Sequence, residues 1–414
     1  MRNASRVDDE VVRRSFSPLL GEPALTRAGL ERAMLQVGDL PGATPPRLTL
    51  APGSAPGLTD MQVDLAAAAA GGGQVLYDNW GSRYSGRDRL GAQGHLDSPF
   101  GRGDQITLSG MTTQGGGLLN GRLAYATPVG SSGLGSEIAW SKTTYELGGD
   151  YAALGATGEA RSLEARWSYP LLRSSDQRLV VQGGLARRHL HDRVETGGLD
   201  TAKRSTSATL GLHYDGPAAQ AGAVLTWGHL TLADAAQRAE NEAGVDSVGT
   251  YARLNVDIGR QWRWAGGWQL AATLALQQAL VHRNLDASEQ MAISGTGGVK
   301  AYREAVNGDD GLLATLRLQR ELPAWRTWSQ ALGAFVEWGR VRPERDWSGA
   351  AAGTRLADAG LGYELRAGSL FAHLDVARTV GPRPETAEAD PGRWRAPTHA
   401  RARASCTTAT GLRV

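Results

Sequence analysis

The run Tyr251-Ala252-Arg253-Leu254-Asn255-Val256-Asp257-Ile258-Gly259-Arg260-Gln261-Trp262-Arg263-Trp264-Ala265-Gly266-Gly267-Trp268-Gln269-Leu270-Ala271-Ala272-Thr273-Leu274-Ala275-Leu276-Gln277 decides the fold class. In its first half Ala252, Leu254, Val256 and Ile258 alternate with Arg253, Asn255 and Asp257. A period of two puts the apolar set on one side of an extended chain and the polar set on the other, the signature of a strand. Ala265-Gly266-Gly267 supplies a short turn. The return segment then places Leu270, Ala272, Leu274 and Leu276 on the face opposite Gln269, Thr273 and Gln277. The stretch reads as a β-hairpin with one apolar and one polar face.

The same alternation recurs at Leu123/Tyr125, Ala208/Leu210/Leu212, Ala223/Leu225/Trp227, Leu316/Leu318 and Leu370/Ala372/Leu374/Val376. Alternation alone fits either a two-sheet sandwich or a barrel. Tryptophan placement separates them. Trp262, Trp264 and Trp268 flank the tight turn rather than strand centres, where the aromatic girdle of a membrane barrel lies. Short turns of this kind alternate with longer polar connections, read at Leu190 to Ser205 and Ala233 to Val248. Short turns at one end and long loops at the other are the asymmetry of a transmembrane barrel. The prediction is a mainly β protein with a transmembrane antiparallel β-barrel over residues 74–378.

Composition agrees. Among 414 residues there are 55 glycines, 12 tryptophans, only 4 phenylalanines and one cysteine, so no disulfide framework is available. The 44 basic residues nearly balance the 42 acidic ones, which argues against a broad polyanion-binding surface and a nucleic-acid partner. Mean hydropathy is −0.32. No run approaches the ~18 apolar residues of a membrane helix, whereas barrel strands hide only every second residue in lipid.

Residues 1–65 read as a small α/β unit. Thr26 can cap a helix whose apolar face is Leu30, Ala33, Met34 and Val37, closed by Gly38. Two short strands follow around Arg47 to Leu50 and Asp60 to Leu65, and residues 66–73 read as a flexible small-residue linker. The first residues, Met1-Arg2-Asn3-Ala4-Ser5-Arg6, carry charge without an apolar core, so no signal peptide is expected in this stretch. After Val376-Ala377-Arg378 the alternation stops. Residues 379–414 are rich in Pro, Arg, Ala and Thr and read as a disordered tail or a shifted reading frame, with the final barrel strand missing.

One further stretch carries a motif: Gly297-Gly298-Val299-Lys300-Ala301-Tyr302-Arg303, followed by Gly308-Asp309-Asp310-Gly311 and the alternating run Leu312 to Arg320. Val299-Lys300-Ala301-Tyr302 resembles the Val-Arg-Gly/Ala-Tyr motif of the inward-folded loop in two-partner-secretion transporters of the haemolysin secretion/activation type. Other segments resemble that family in the same order. Tyr77 to Gly86 is similar to its first strand, Tyr125 to Gly130 to an early strand end, and Leu285 to Gln290 to the approach to the loop. Phe335-Val336-Glu337-Trp338-Gly339 is similar to its F-x-D-x-G strand motif. Asp39-Leu40-Pro41-Gly42 and Leu50 to Gly57 resemble the later part of a periplasmic POTRA domain, whose first strand, preceding domain and export signal would lie upstream.

The resemblance implies a monomeric barrel of about sixteen strands in the bacterial outer membrane and in contact with its lipid. It implies that a POTRA domain recruits a large β-rich haemolysin- or adhesin-like exoprotein, unfolded in the periplasm, which the pore secretes, with activation as an additional role. It also implies a contact in the lumen between the loop arginine and the strand aspartate. Here the arginine has become Lys300 and the aspartate Glu337, so the charges are kept while the bidentate fork is lost. Glu337 is out of phase with Leu332, Ala334, Val336 and Trp338, which predicts that it faces the lumen and pairs with Lys300. Phe335 and Gly339 complete the strand motif.

Other motifs carry less. The Gly-to-Lys spacing in Gly295 to Ala301 is wrong for a phosphate loop. Arg102-Gly103-Asp104 is too short to separate an adhesion motif from a turn. His189 and His191 fit one face of a strand or loop, and no Cys/His cluster suggests a metal. No nucleophile, base and orienting group occur together, so no enzyme activity and no cofactor are expected. The alternatives to a secretion pore are a porin-like passive channel, which would need neither POTRA segment nor inward loop, and a non-functional gene remnant.

Overall fold

The computed structural model describes residues 1–21, 24–55, 57–346, 353–382, 384 and 401–406, the last as backbone only. The N-terminal unit runs β1 (Arg2–Asn3), α1 (Asp9–Phe16), α2 (Arg27–Gly38), β2 (Arg47–Pro52) and β3 (Thr59–Leu65). Its sheet has the order β1-β3-β2, with β1 parallel and β2 antiparallel to β3. Thr26 caps α2 by accepting from Gly29 N at 3.1 Å, a contact of the kind worth about 1 kcal/mol. Val12 and Phe16 of α1, Ala33 and Val37 of α2, and Val63 and Leu65 of β3 form one buried core with Val7 and Leu19. Helix α1 and strand β1 were not expected from the sequence. Both are short, and α1 buries only Val12, Ser15 and Phe16.

The remaining large sheet closes on itself. Its strands begin with β4 (Gly71–Asp78), β5 (Arg89–Asp97), β6 (Gln105–Thr113), β7 (Leu118–Val129), β8 (Leu134–Glu146) and β9 (Ala156–Arg173). They continue with β10 (Arg178–Val194), β11 (Leu199–Asp215), β12 (Ala219–Leu232), β13 (Gly249–Trp264) and β14 (Trp268–Ala279). A two-strand hairpin, β15 (Met291–Ala292) with β16 (Asn307–Gly308), interrupts the series. Then come β17 (Asp310–Trp325), β18 (Trp328–Arg342), β19 (Thr354–Ala367), β20 (Leu370–Thr379) and β21 (Arg401–Cys406). All but β15 and β16 join in one closed antiparallel barrel of sixteen strands.

The expectation that the final strand is missing is overturned. Strand β21 lies inside the stretch read as a disordered tail. It pairs with β20 from Leu370↔Cys406 to Asp375↔Arg401, and with β4 from Arg403↔Asp78 to Cys406↔Val75. Its alternation of Ala402, Ala404 and Cys406 with Arg401, Arg403 and Ser405 is short and made of small residues, whereas a ladder of backbone hydrogen bonds does not require large apolar side chains. Closure leaves no unpaired edge in lipid. The rest of that tail, apart from residues 379–382 and 384, lies outside the described residues. Two smaller expectations also change. Leu190 to Ser205 is not a long loop, because β10 and β11 run on to a turn at residues 195–198. Strand β4 starts at Gly71, inside the expected linker. A Cβ there would lie 2.1 Å from His95 O, so the glycine serves close strand approach rather than flexibility.

Side chains alternate between the two sides of the wall. In β18, Leu332, Val336 and Trp338 face outward while Phe335, Glu337 and Gly339 are buried inward. Leu163, Leu185, Leu210, Trp227 and Leu361 stand on the same outer surface, and Trp264 and Trp268 flank a hairpin turn. A continuous apolar exterior around a polar interior is the pattern of a membrane barrel. No helix among the described residues is long and apolar enough to cross a membrane.

The short turns gather at one end, and the α/β unit docks on them. Arg173 at the end of β9 holds both carboxylate oxygens of Asp39 at 2.8 Å. Glu31 accepts from Ser175 N at 2.8 Å, and Gln36 donates to Ser131 O at 2.9 Å. The Arg102-Gly103-Asp104 stretch belongs to one of these turns. Asp104 is fully buried, Asp104 Oδ1 accepts from Arg102 N at 3.1 Å, and Gly103 faces Leu40. The long connections lie at the other end. One of them, 233–248, contains α3 (Ala235–Ala243).

Candidate functional site

Between β14 and β17 the chain leaves the wall and folds into the lumen. Its hairpin is tied by Ile293 N to Val306 O at 2.9 Å, Val299 N to Ile293 O at 2.7 Å and Gly295 N to Tyr302 O at 3.1 Å. Ser294 Oγ closes the same turn, donating to Glu304 O at 2.7 Å and accepting from Val306 N at 2.9 Å. The tight crossing needs Gly298. A Cβ there would stand 2.0 Å from the carbonyl carbon and oxygen of Ile293, whereas one at Gly297 would meet nothing within 4 Å. Ile293, Val299 and Tyr302 are buried with Val341 of β18 and Leu356 of β19. Burial of each such side chain is worth roughly 1.5–3 kcal/mol, enough to seat the loop on this wall.

All four motif residues lie on that seat. Val299 and Tyr302 pack into it, while Lys300 and Ala301 make the polar contacts. Lys300 donates its backbone N–H to Glu337 Oε2 at 3.0 Å and its ammonium to Glu337 Oε1. Ala301 N donates to Asp358 Oδ2 at 2.7 Å. Glu337 and Asp358 face each other across β18 and β19. The Lys300 ammonium also lies 4.7 Å from the ring centroid of Phe335, and the Arg317 guanidinium lies 4.9 Å from it. One ring therefore carries two cations, each such contact being worth about 0.5–2 kcal/mol depending on desolvation. Gly339 leaves room for the loop, since a Cβ there would come within 2.9 Å of Ile293 Cβ. The strand motif thus divides its work: Phe335 shelves cations, Glu337 holds Lys300, and Gly339 admits Ile293.

Several residues around this seat were not singled out from the sequence. Asp358 is one. Gly360 is another, because a Cβ there would lie 2.4 Å from Phe335 Cζ. Arg317 donates to both oxygens of Asp375 at 3.0 Å, and His373 sits between Asp375 at 2.8 Å and Glu364 at 3.2 Å. The usable signal was parity: each of these polar groups occupies a lumen position of an alternating strand.

The approach to the loop is fastened to a different part of the wall. Glu289 is buried and accepts from Arg188 at 2.6 Å, Tyr251 at 2.9 Å and Arg253 at 2.9–3.0 Å. Asp286 takes the Lys203 ammonium at 2.7 Å and the Ser288 hydroxyl at 2.8 Å. Burial pushes the Asp286 carboxyl up, but Lys203 and the Ser288 hydrogen bonds outweigh it and hold the group below its usual range. On the far side of the hairpin, Glu304 accepts from Ser82 Oγ at 2.5 Å and Arg83 N at 3.0 Å, in the connection between β4 and β5. The loop is therefore held at three places.

Below it, at the short-turn end, a cavity of about 620 Å³ opens between the barrel and the α/β unit. Arg32 and Gln36 of α2 line it together with Glu137, Arg166, Arg188 and Arg253 of the wall. Among the described residues no group of three His, Cys, Asp or Glu side chains is placed to hold a metal. The arrangement is a polar conduit, partly filled by a latched loop.

Residues 57–365 match the family described as haemolysin secretion/activation protein ShlB/FhaC/HecB. The heme/hemopexin transporter protein HuxB of Haemophilus influenzae is 21% identical over 392 residues, covering 92% of this chain and 69% of that protein. The fold is shared with CdiB from Escherichia coli, at TM-score 0.79 and 17% identity over 97% of this chain and 74% of that one. CdiB from Acinetobacter baumannii gives TM-score 0.72 and 13% identity, over 98% and 72%. The chain belongs to the ShlB/FhaC/HecB haemolysin secretion/activation family, the two-partner-secretion β-barrel transporters of the Gram-negative outer membrane.

Proposed function

We propose that this transporter carries a large β-rich exoprotein of haemolysin or adhesin type, delivered unfolded from the periplasm, and that loop 280–309 is the element that must move to let it pass. The α/β unit acts as a POTRA-type receptor, offering the free edge of β2 to an extended segment of the cargo. A single barrel serves as the pore. The observation that supports this reading best is the latched loop. Its contacts with Glu337, Asp358, Arg188 and Lys203 of the wall are polar and reversible, unlike a continuous apolar plug.

The test is secretion of a co-expressed β-rich exoprotein of haemolysin type, measured in cells carrying the wild-type chain or one with a cysteine pair locking the loop to β18. Locking should stop secretion while leaving the barrel inserted, and reduction should restore it. Equal secretion from locked and free loops would refute the role of the loop. Free permeation of small solutes at wild-type rates through the locked barrel would favour a passive channel.

A further inference from the structure

The outer wall carries a feature that neither the conduit nor the loop uses. On the lipid side of β8 to β12, the apolar positions end abruptly toward the long-loop end. One register row reads Ile138, Ala165, Leu185, Ala208 and Trp227 across these five strands. Two residues further along each strand, the row reads Trp140, Leu163, Arg187, Thr206 and His229. The next reads Lys142, Arg161, His189, Arg204 and Thr231. Cross-strand neighbours in such rows have Cβ atoms about 4.5–5.5 Å apart, so these cations form one patch.

Charge in the patch is not balanced. Lys142 and Arg161 share a single carboxylate, Glu159, the lysine at 2.8 Å. Among the described residues no carboxylate lies within ion-pair distance of Arg187 or Arg204, and both side chains are exposed. Four permanent cations thus face one carboxylate. His189 stands between Arg161 and Arg204 in the same row, and His191 above it is paired with Asp200 at 2.6 Å.

Position fixes what such a patch meets. It adjoins the apolar belt on the same five strands, so its partner sits at the hydrocarbon boundary. It lies toward the end opposite the docked α/β unit, the outward-facing end in a transporter of this family. Free anions gain only the charge there, whereas the phosphates of outer-leaflet glycolipid are also held at that level by acyl chains against the apolar belt. An arginine suits that partner because its fork matches a phosphate and its stem packs along apolar surface.

We infer that Arg187, Arg204, Arg161 and Lys142 form a binding site for a phosphorylated glycolipid headgroup of the outer leaflet, with acyl chains against Leu185, Leu210 and Trp227.

The experiment uses the full chain in detergent micelles and fluorescently labelled lipid A, either bisphosphorylated or enzymatically dephosphorylated. The wild type should prefer the phosphorylated form by about tenfold or more, and Arg187→Gln with Arg204→Gln should abolish the preference. Resistance of the folded barrel to unfolding in SDS before heating shows that the variant is intact. Arg187→Lys with Arg204→Lys keeps the charge and should keep most of the preference even if the glutamine pair fails to fold. Equal binding of both lipids by the wild type, or a wild-type preference retained in the glutamine pair, would overturn the site. Displacement of the lipid by inorganic pyrophosphate at equal concentration would show an anion site without lipid selectivity and would overturn it too.

Discussion

Lys300 occupies both oxygens of Glu337, the backbone N–H on Oε2 and the ammonium on Oε1. The contact is therefore only half a side-chain ion pair. Substituting Lys300 by Ala removes the ammonium but leaves the backbone donor in place. Substituting Glu337 by Ala removes both acceptors and takes its carboxylate from a part-buried ammonium, a change that costs less than the about 3–5 kcal/mol of breaking a fully buried pair. Glu337→Ala should thus free the loop more than Lys300→Ala, as read by protease cleavage or thiol labelling within residues 293–306. Exchange of the charges, Lys300→Glu with Glu337→Lys, should recover part of the position lost by either reversal alone. Strict additivity of the two reversals would show that the groups are not coupled.

The two neighbouring glycines make a sharper comparison. Gly298→Ala puts a methyl group 2.0 Å from the Ile293 carbonyl, so the hairpin must open. Gly297→Ala meets nothing within 4 Å and should change little. A loss of about 2 kcal/mol or more in loop protection at 298, against less than about 0.5 kcal/mol at 297, is expected from hydrogen exchange of the Val299 amide. Equal effects at the two positions would contradict the close crossing.

How much of this was legible depended on the range of each interaction. Period-two alternation is local, and it carried the barrel from Tyr251 to Gln277 outward. Thr26 and its helix were legible for the same reason. Strand β21 was not, because its pairing partners Leu370–Asp375 and Val75–Asp78 are far away in sequence and its own alternating positions, Ala402, Ala404 and Cys406, are too few and too small to stand out. Parity alone turned Glu337 inward. Its partner came only through resemblance to a family motif, since nothing within 36 residues of Glu337 points to Lys300. Glu289 and Arg188 are 101 residues apart, and no local pattern joins them. Lumen charges pair across the barrel, so the sequence shows that they face inward without showing whom they meet.

The second anchor adds a pH dependence. The Asp286 carboxyl is held below its usual range by Lys203 and Ser288 against the opposing effect of burial. A depressed folded-state pKa contributes stability that is fully present above the unfolded value, about 3.9, and is lost as pH falls through the folded value. The approach to the loop should therefore stay attached at neutral pH and detach only in strong acid. Lys203→Gln removes the main opposing charge and should move detachment to higher pH. Thiol accessibility near residue 287, followed from pH 7 to pH 3, checks this; identical profiles for wild type and variant would remove Lys203 from the anchor.

The contact between domains offers the last test. Arg173 grips Asp39 with two hydrogen bonds of 2.8 Å, and Glu31 and Gln36 of α2 add contacts to Ser175 and Ser131 in neighbouring turns. Asp39 is about half exposed, so solvent screening limits the pair to roughly 1 kcal/mol despite its fork geometry. Asp39→Ala should consequently leave barrel stability unchanged, because no wall hydrogen bond is touched. It should broaden the distribution of distances between spin labels on α2 and on the turn at residues 174–177. Combined with Glu31→Ala and Gln36→Ala, it should loosen the unit at the mouth and widen the cavity between Arg32 and Arg166. If the label distances stay narrow in the triple variant, docking is held not by the polar set on α2 but by the contacts with the turn after β5, Asp8 N to Gly101 O at 2.7 Å, Arg6 Nε to Asp97 O at 3.2 Å and Leu40 against Gly103.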